Sequence, residues 1–345
     1  MGSSMDTSMA TTPTTAPQVF HLDDGQGTTL AVSDLGATWL SCRVPLGDGS
    51  PREVLLGRPT PAEHVSQGGY VGAIVGRYAN RLAGARFSVD GVEHRVKPNE
   101  GRNQLHGGPD GFDRRIWRCT EHGPRHLVLA VHSPDGDQGY PGALDAQVRY
   151  GIEAPGCVTL DFKARVDRPC PVNLTSHAYF NLDGDDDPSH TIATHRIALA
   201  ASHWLPVDDA LIPLGDIAPV ADGAGSAMDL RTPRAIGMQR FDHCYVLDGD
   251  DSGNHGPAAS VWSGDGRLHM ALYTDAPGLQ FYGGHFLPGS TDRLRRPYAA
   301  GAGFALEPQS WPDSPNHPEW PGAGALLRPG TVLRRHIRLQ FSPCR

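Results

Sequence analysis

The sequence predicts an all-β protein, a large antiparallel β-sandwich with few short helices. The first observation is that 42 Gly and 30 Pro residues separate short runs rich in Val, Leu, Phe and Tyr, a pattern typical of strands joined by turns. The second is that no long stretch repeats apolar residues at helical spacing. The third is the lack of alternating strand and helix patterns, which excludes doubly wound and α/β-barrel folds.

The first predicted element is a short helix over residues 60–67. Thr60 is a suitable N-cap, Pro61 suits the first helical position, and Glu63 follows the cap by three residues. Runs of strand-favouring residues then predict strands at 126–132, 147–152, 158–166, 172–182, 196–200, 268–274, 278–282, 304–307 and 332–341.

The clearest predicted hairpin pairs residues 86–89 with residues 92–95. The dipeptide Asp90-Gly91 joins them and tolerates the positive φ angles of a type I′ turn. We expect the polar segments 183–189 and 248–257 to be solvated turns.

Residues 1–17 are expected to form a disordered leader, and residues 18–345 a single β-sandwich domain. The leader is rich in Ser, Thr and Ala and lacks the basic and apolar segments of a signal peptide. The six cysteines are scattered without a Cys-x-x-Cys pair, which favours a reducing, cytoplasmic location.

Charge and motif content exclude several classes of function. The chain has 30 basic and 38 acidic residues and a net charge of −8, so neither nucleic acid nor a membrane is an expected partner. Phosphate loops, dinucleotide fingerprints, nucleophile elbows and His-Glu-x-x-His motifs are absent from the sequence. We therefore expect neither a nucleotide cofactor nor a metal site.

Residues 172–182 are the most informative segment. If they form one strand, Asn173, Thr175, His177, Tyr179 and Asn181 share one face, while apolar side chains occupy the other. The polar face is suited to binding a polyhydroxylated ligand. The alternative is a strand that faces solvent, but such a strand usually carries Lys, Glu or Arg on its wet side.

Glu307 ends an apolar run in which Gly303 and Ala305 share its face, so small side chains leave room beside the carboxylate. A partly desolvated Glu has a raised pKa and can act as a general base near neutral pH. A strand-end Glu that pairs with an arginine explains the pattern equally well.

Asp242 alternates with Cys244 and Val246 and is therefore predicted to point inward, where a carboxylate needs a partner. That partner is either a structural arginine or a pair of ligand hydroxyls. The Gly-rich segments 76–81 and 103–108 supply further polar groups, although each alone is weak evidence.

These segments resemble those of the aldose 1-epimerases, also called galactose mutarotases, in order from about Val19 to Phe341. The matching motifs are Gly76-Arg-Tyr-Ala-Asn-Arg-Leu82, Asn103-Gln-Leu-His-Gly-Gly108, Ser133-Pro-Asp-Gly-Asp-Gln-Gly-Tyr-Pro-Gly142, Asn173-Leu-Thr-Ser-His-Ala-Tyr-Phe-Asn-Leu182, Leu205-Pro-Val-Asp-Asp-Ala-Leu-Ile-Pro213, Phe241-Asp-His243, Pro277-Gly-Leu-Gln-Phe-Tyr282 and Leu306-Glu-Pro-Gln-Ser-Trp-Pro-Asp313. Ordered motifs over nearly the whole chain are far more specific than any single one.

The resemblance implies an enzyme that interconverts the α and β anomers of free aldoses without a cofactor. By this resemblance Glu307 is the general base at the C1 hydroxyl and His177 the general acid at the ring oxygen, active as an ionised Glu with a protonated His. The positions that hold the sugar hydroxyls are Asn80, Arg81, His106, Tyr179, Asp242 and Gln280.

Three residues depart from the family pattern: Ser176 and Pro308 stand where Asn and Thr are usual, and His285 where Asn is commoner. Ser176 is expected on the other face of its strand, and His285 at the pocket rim, where it would affect sugar preference.

Two other functions remain open at this point. One is a non-catalytic sugar-binding module on the same fold. The other is a sugar-phosphate epimerase, for which Arg77, Arg81 and Arg114 are the candidate phosphate ligands. The expected partner is a monosaccharide, and the expected assembly is a monomer or homodimer.

Overall fold

The computed structural model describes residues 16–187, 190–221, 227–249, 256–320 and 325–344. Apart from Ala16 and Pro17, the expected leader over residues 1–17 lies outside the described residues. The chain is 44% strand and 7% helix, and the predicted all-β class is confirmed.

The elements of the described ranges are one α-helix, several three-residue 3-10 helices and a series of mostly short strands. The helix is α1 (Pro61–Ser66). The strands are β1 (Val19–Asp23), β2 (Thr29–Ser33), β3 (Trp39–Pro45), β4 (Pro51–Glu53), β5 (Ile74–Val75), β6 (Arg81–Leu82), β7 (Arg86–Val89), β8 (Val92–Arg95), β9 (Gln104–Leu105), β10 (Arg118–Gly123), β11 (His126–Ser133), β12 (Leu144–Ala154), β13 (Cys157–Val166), β14 (Cys170–Pro171), β15 (Thr175–Ser176), β16 (Tyr179–Phe180), β17 (Arg196–Leu199), β18 (His203–Trp204), β19 (Ala218–Pro219), β20 (Arg234–Ala235), β21 (Asp242–Val246), β22 (Ala259–Trp262), β23 (Leu268–Thr274), β24 (Gly278–Tyr282), β25 (Phe304–Gln309), β26 (Leu326–Leu327) and β27 (Leu333–Pro343).

Two sheets define the architecture. The large sheet has nine strands in the order β10-β11-β12-β13-β27-β23-β22-β17-β20, and the small sheet has six in the order β16-β25-β24-β21-β18-β19. Neighbouring strands in both sheets pair antiparallel. Strands β1–β4 form a separate four-stranded sheet.

The core lies between the large and small sheets. Leu160 of β13 and Leu339 of β27 face Phe180 of β16 and Leu306 of β25 across one small void. All four side chains belong to the same buried apolar cluster. Burial of apolar side chains from both inner faces is what holds a β-sandwich together.

Several sequence predictions are confirmed closely. The hairpin over 86–95 forms as predicted, with Asp90 at φ 50° and Gly91 at φ 80° in its turn. Helix α1 begins after Thr60, whose side chain accepts from the Glu63 amide at 3.3 Å. Strands β23 and β24 have the predicted limits.

The prediction of one strand over residues 172–182 is wrong. The segment forms β15, which pairs with β5, and β16, which pairs with β25. Beyond β15 the main chain of His177 still bonds to Ala73 and Gly72, and the pairing with β25 begins only at Tyr179. His177 is therefore placed at the junction between the small sheet and the β5 segment.

The predicted solvated turn at 183–189 is confirmed at Asp186 and Asp187, which are exposed. It is wrong at Asp185, whose side chain is buried against Arg293 and Tyr298. Residues 188–189, like 250–255 of the predicted turn at 248–257, lie outside the described residues. Strands β1–β4 were not predicted, since β1 buries only Leu22 and lacks an apolar run. Within the described ranges, no helix has the length and apolar character that membrane crossing requires.

Candidate active site

A cavity of about 340 Å³ opens beside one face of the small sheet, within the size range of small-molecule sites. Its walls combine aromatic and charged side chains: Arg58, Tyr70, Asn80, Arg81, His106, His177, Tyr179, Asp242, Tyr282, Phe286 and Glu307. A larger groove of about 730 Å³ on the large sheet is lined mainly by exposed side chains such as Lys163 and Arg165 and holds no comparable buried acid and base.

Strand β25 supplies the carboxyl group at the floor of the cavity. Glu307 faces the cavity, and Ala305 on the same side of the strand is buried in an apolar cluster with Tyr179 and Tyr282. Phe304 and Leu306 point into the core. Glu307 is 2% exposed and lies within the strand, which continues to Gln309. The partner within ion-pair distance among the described residues is His177, so the strand-end pairing with an arginine is not observed.

His177 faces Glu307, with Nε2 3.7 Å from Oε1. Its ring stacks on Tyr179 at 5.0 Å and on Tyr70 at 5.9 Å between ring centroids. Nδ1 is buried without a hydrogen-bond partner. The imidazole is thus held by aromatic packing, with its Nε2 edge directed at the carboxyl group.

Burial shifts both groups toward their uncharged forms. Desolvation lowers the pKa of His177 to about 4. Desolvation, and next the negative charge of Asp242, raise the pKa of Glu307 well above its usual value, against the opposing effect of Arg81. In this environment the shared proton therefore favours Glu307, whereas the active form implied by the family resemblance places it on His177.

Two Gly-rich segments build the wall opposite β25. Strands β6 and β9 pair within them, and a Cβ on Gly107 would overlap the Gly76 carbonyl oxygen, so the close approach requires glycine. Asn80 and His106 adopt positive φ angles of 67° and 53°. Non-glycine residues in this region are strained, and such positions cluster at functional sites.

His106 is fixed in one tautomer by this wall. Its Nδ1 accepts from the backbone amide of Asn80 at 3.1 Å, which leaves the proton on Nε2. Three possible metal ligands lie close together, since His106, His177 and Glu307 each place one ligand atom within 4.8 Å of the others. Three protein ligands are enough for a catalytic metal site. Because a protonated ring nitrogen cannot ligate a metal, this set fits hydrogen bonding better than metal binding.

Two further charged residues of the wall, Arg81 and Asp242, are hydrogen-bonded to neighbouring side chains. Arg81 donates from Nε and Nη2 to both oxygens of Glu100, at 2.7 and 2.8 Å. Gln280 donates from Nε2 to Oδ1 of Asp242 at 2.7 Å. The inward partner of Asp242 is therefore an amide and not the arginine considered from sequence.

Of the residues that the family resemblance assigns to the site, the structure gathers all but one in the cavity wall. Gln280 is the exception, since it lies behind Asp242 with Oε1 unpartnered. Asn173 and Asn181, predicted on the ligand face, instead donate to main-chain carbonyls of Ala79, Ser310 and Ala302. Thr175 is buried and also outside the wall.

The departures from the family pattern occupy different places. Ser176 faces the core void, as predicted. His285 packs on Tyr282 and Phe286, with ring centroids 4.9 and 4.3 Å apart, beside the cavity rim. Pro308 lies opposite Leu279 in the β24–β25 ladder.

Among the aromatic and charged residues of the wall, sequence reasoning missed Arg58, Tyr70, Glu100, Tyr282 and Phe286. Tyr282 could have been predicted from sequence, because it lies two residues after Gln280 on a predicted strand and therefore shares its face. Tyr70 follows Gly68 and Gly69, both at positive φ, and such a pair could have signalled a tight turn. Nothing in the sequence singles out Arg58, which follows Gly57 and precedes Pro59.

A buried carboxyl group facing an imidazole, inside a polar cavity, provides an acid and a base for a hydroxylated small molecule. The fold and the site thus define an acid–base enzyme on a β-sandwich. Comparison with known proteins agrees: the family model described as aldose 1-epimerase matches residues 18–340.

Relatives match over most of their length. The aldose 1-epimerase of Escherichia coli K12 is 42% identical, over 96% of this chain and 98% of the relative. The galactose mutarotase of Bos taurus is 39% identical, over 89% of both chains. The chain therefore belongs to the aldose 1-epimerase family, a family of isomerases.

Solved structures show the same fold. An aldose epimerase homologue from C. elegans superposes with a TM-score of 0.88 at 27% identity, covering 96% of this chain and all (100%) of that one. A galactose 1-epimerase from Lactobacillus acidophilus superposes with a TM-score of 0.81 at 24% identity, covering 98% of both chains. The predicted β-sandwich of the galactose mutarotase type is confirmed.

Proposed function

We propose that the protein interconverts the α and β anomers of free aldoses such as galactose and glucose, with Glu307 as general base and His177 as general acid. The observation that carries this proposal is the buried Glu307–His177 pair, 3.7 Å apart at the floor of an open polar cavity. A module that only binds sugar needs hydroxyl partners but no matched acid and base.

The reaction requires one proton removed and one delivered. Glu307 takes the proton of the C1 hydroxyl while His177 donates its proton to the ring oxygen, so the bond between C1 and that oxygen breaks and C1 becomes an aldehyde carbon. Rotation about the C1–C2 bond presents the other carbonyl face. In the reverse step His177 removes the proton from the C5 hydroxyl as it attacks, and Glu307 returns a proton to the oxygen on C1.

A bound sugar also moves the shared proton toward the form that this mechanism uses. A C1 hydroxyl that donates to Glu307 stabilises the carboxylate, and a ring oxygen that accepts from His177 stabilises the imidazolium. The stacked rings of Tyr70 and Tyr179 favour the imidazolium further through their negative π faces. These interactions oppose the burial effects of the sugar-free site.

The other wall residues are proposed to hold the sugar hydroxyls. Asp242 accepts from hydroxyls, while His106 donates from Nε2 and Arg81 from the guanidinium edge not used by Glu100. Asn80 supports His106 through its backbone amide. Tyr179 and Gln280 are proposed to act by positioning other residues of the site. Tyr179 stacks on His177, and Gln280 binds Asp242.

Neither alternative function is favoured by the relatives. For a sugar-phosphate epimerase the geometry also argues against the arginines named from sequence. Arg77 donates to Ser133 and to main-chain carbonyls such as Gly142, and Arg81 is neutralised by Glu100. Arg114 does not line the described cavity.

We also propose that residues 18–345 form one domain, that the protein is cytoplasmic, and that it is a monomer or homodimer. One buried apolar cluster runs from Leu22 to Phe341, in support of a single domain. All six cysteines are free, as a reducing compartment favours.

The test is polarimetry of freshly dissolved α-galactose and α-glucose, with wild-type protein, Glu307→Gln and a buffer blank. The blank matters because anomers also interconvert spontaneously in water. The proposal expects wild type to speed the approach to equilibrium and the variant to approach the blank. Wild-type traces that overlay the blank for both sugars would refute it.

A further inference from the structure

We propose that the cavity also accepts hexuronic acids, aldoses whose C6 is a carboxylate, and that Arg58 binds this carboxylate. The proposal rests on the proposed function, because the roles of Glu307 and His177 fix how the sugar ring lies in the cavity. It concerns a residue of the wall that the acid–base mechanism does not use.

Arg58 is a buried cation without an ionic partner. Its side chain lies in the cavity wall and the residue is 4% exposed. Nη1 donates to the Thr291 carbonyl at 2.8 Å, while Nε is buried with no partner at all. Among the residues that the structure describes, no carboxylate lies within ion-pair distance of this guanidinium. A buried charge in this state is unfavourable, and an anionic ligand would relieve it.

The nearby carboxylates are engaged elsewhere. Asp185 contacts Arg293 and the Tyr298 hydroxyl, and Glu63 pairs with Arg295 at 2.9 Å. Arg81, the other guanidinium of the wall, is bound by both oxygens of Glu100. Arg58 is thus the cavity cation whose charge the described part of the chain leaves uncompensated.

Arg58 lies on the side of the cavity toward which the C6 substituent of the sugar ring points. C6 is attached to C5, which bonds to the ring oxygen, so groups on C6 lie on the side of His177. The Tyr179 ring stacks on His177, and its hydroxyl donates to the Gly69 carbonyl at 3.1 Å. A Cβ on Gly69 would lie 3.9 Å from Nη2 of Arg58. These contacts form a continuous path from the ring oxygen to the guanidinium.

The charge of the site favours a carboxylate over a phosphate. The single positive charge of one guanidinium matches the single negative charge of a carboxylate. A phosphate monoester carries up to about two negative charges, and it would share the cavity with Asp242 and Glu307 against one uncompensated cation. The competing role for Arg58 is a structural one, in which it braces Thr291 and lies over the Tyr298 ring at 5.6 Å.

The experiment measures kcat/KM by polarimetry for α-galactose, α-galacturonate and galactose 6-phosphate with wild type, Arg58→Leu and Arg58→Lys. We expect wild type to accelerate galacturonate mutarotation. Because hydrogen bonds to charged groups are strong, Arg58→Leu should lower kcat/KM for galacturonate at least about tenfold more than for galactose. Arg58→Lys keeps the charge and should restore part of that difference.

Several results would overturn the proposal. An equal loss on galactose and galacturonate would identify Arg58 as a structural brace. A larger dependence on Arg58 for galactose 6-phosphate than for galacturonate would identify a phosphate site. If wild type accelerates galactose but not galacturonate, only this proposal fails; if it accelerates neither, the proposed function fails as well.

A second measurement covers the case in which Arg58→Leu does not fold. Galacturonate should inhibit galactose mutarotation by wild type competitively, with a lower inhibition constant than its uncharged methyl ester, because the ester lacks the negative charge that the guanidinium pairs with. Equal inhibition constants for the acid and the ester would contradict binding through Arg58.

Discussion

The large sheet and the small sheet are built from the same kind of strand, but they differ in regularity. Strands β12, β13 and β27 of the large sheet run for 11, 10 and 11 residues, and buried side chains alternate with more exposed ones over part of each strand. The small sheet contributes its face to the cavity through strands of two to six residues. Around them, Tyr70, Asn80 and His106 adopt positive φ angles. Regular strands provide stability, while short strands and strained turns position the reactive groups.

The sharpest test of this contrast replaces one ionisable side chain in each sheet by glutamine and compares activity and stability. Glu307→Gln removes the base and should lower kcat by about 10²- to 10⁴-fold, while the free energy of unfolding stays the same or rises because a buried carboxyl is replaced by an amide. Lys163→Gln, on the exposed face of the large sheet, is the matched control and should change neither quantity. Polarimetry and urea unfolding measure both. A Glu307→Gln variant with more than a tenth of wild-type activity would contradict the role of the base.

The opposite pattern is expected in the large sheet. Leu160 on β13 is 1% exposed and belongs to the core, so Leu160→Ala should destabilise the protein by about 2–5 kcal/mol through a cavity and lost contacts. The kcat of the folded fraction should remain unchanged, because Leu160 does not line the active cavity. Urea unfolding followed by fluorescence gives the stability, and a loss of kcat at full folding would break the contrast.

A smaller effect is expected where packing and catalysis meet. Tyr70→Leu removes one ring stacked on His177 and should lower kcat by roughly 2- to 30-fold, since a cation over an aromatic face gains about 0.5–2 kcal/mol. Tyr70→Phe keeps the ring and is the matched control. If the two variants lose activity equally, the hydroxyl matters and not the stacked face.

The smallest expected effect is a shift in the pH dependence of activity. Below the pKa of His177, about 4, both groups are protonated and the base is lost; above the raised pKa of Glu307 both are deprotonated and the acid is lost. Activity should therefore be a broad bell with its acid limb near pH 4, the two limbs belonging to the coupled pair. Because the charge of Asp242 raises the pKa of Glu307, Asp242→Asn should move the alkaline limb to lower pH. A limb that stays in place would show that Asp242 does not act on Glu307.

Sequence patterns predicted the regular parts of the fold well. Runs of strand-favouring residues located β23 and β24 to the residue, and the Asp90-Gly91 dipeptide located its hairpin. The break between β15 and β16 was invisible, because His177 is held by main-chain bonds to Gly72 and Ala73, a hundred residues away in the chain. Periodicity reports which side a residue faces, but not which neighbouring segment pairs with it.

For the site, the sequence supplied the residue types and the family resemblance, but not their partners. That Gln280 binds Asp242 depends on the register of β21 against β24. That Arg58 enters the cavity depends on the path of the chain between β4 and α1. Such long-range relations follow from packing and leave no local sequence pattern.

The central claim is that Glu307 and His177 act as one acid–base unit, and a double-mutant cycle tests it most directly. We would measure kcat for galactose with wild type, Glu307→Gln, His177→Asn and the double variant. Groups that act together are strongly non-additive, so the double variant should lose about as much activity as the worse single variant. Losses that multiply in the double variant would contradict the account.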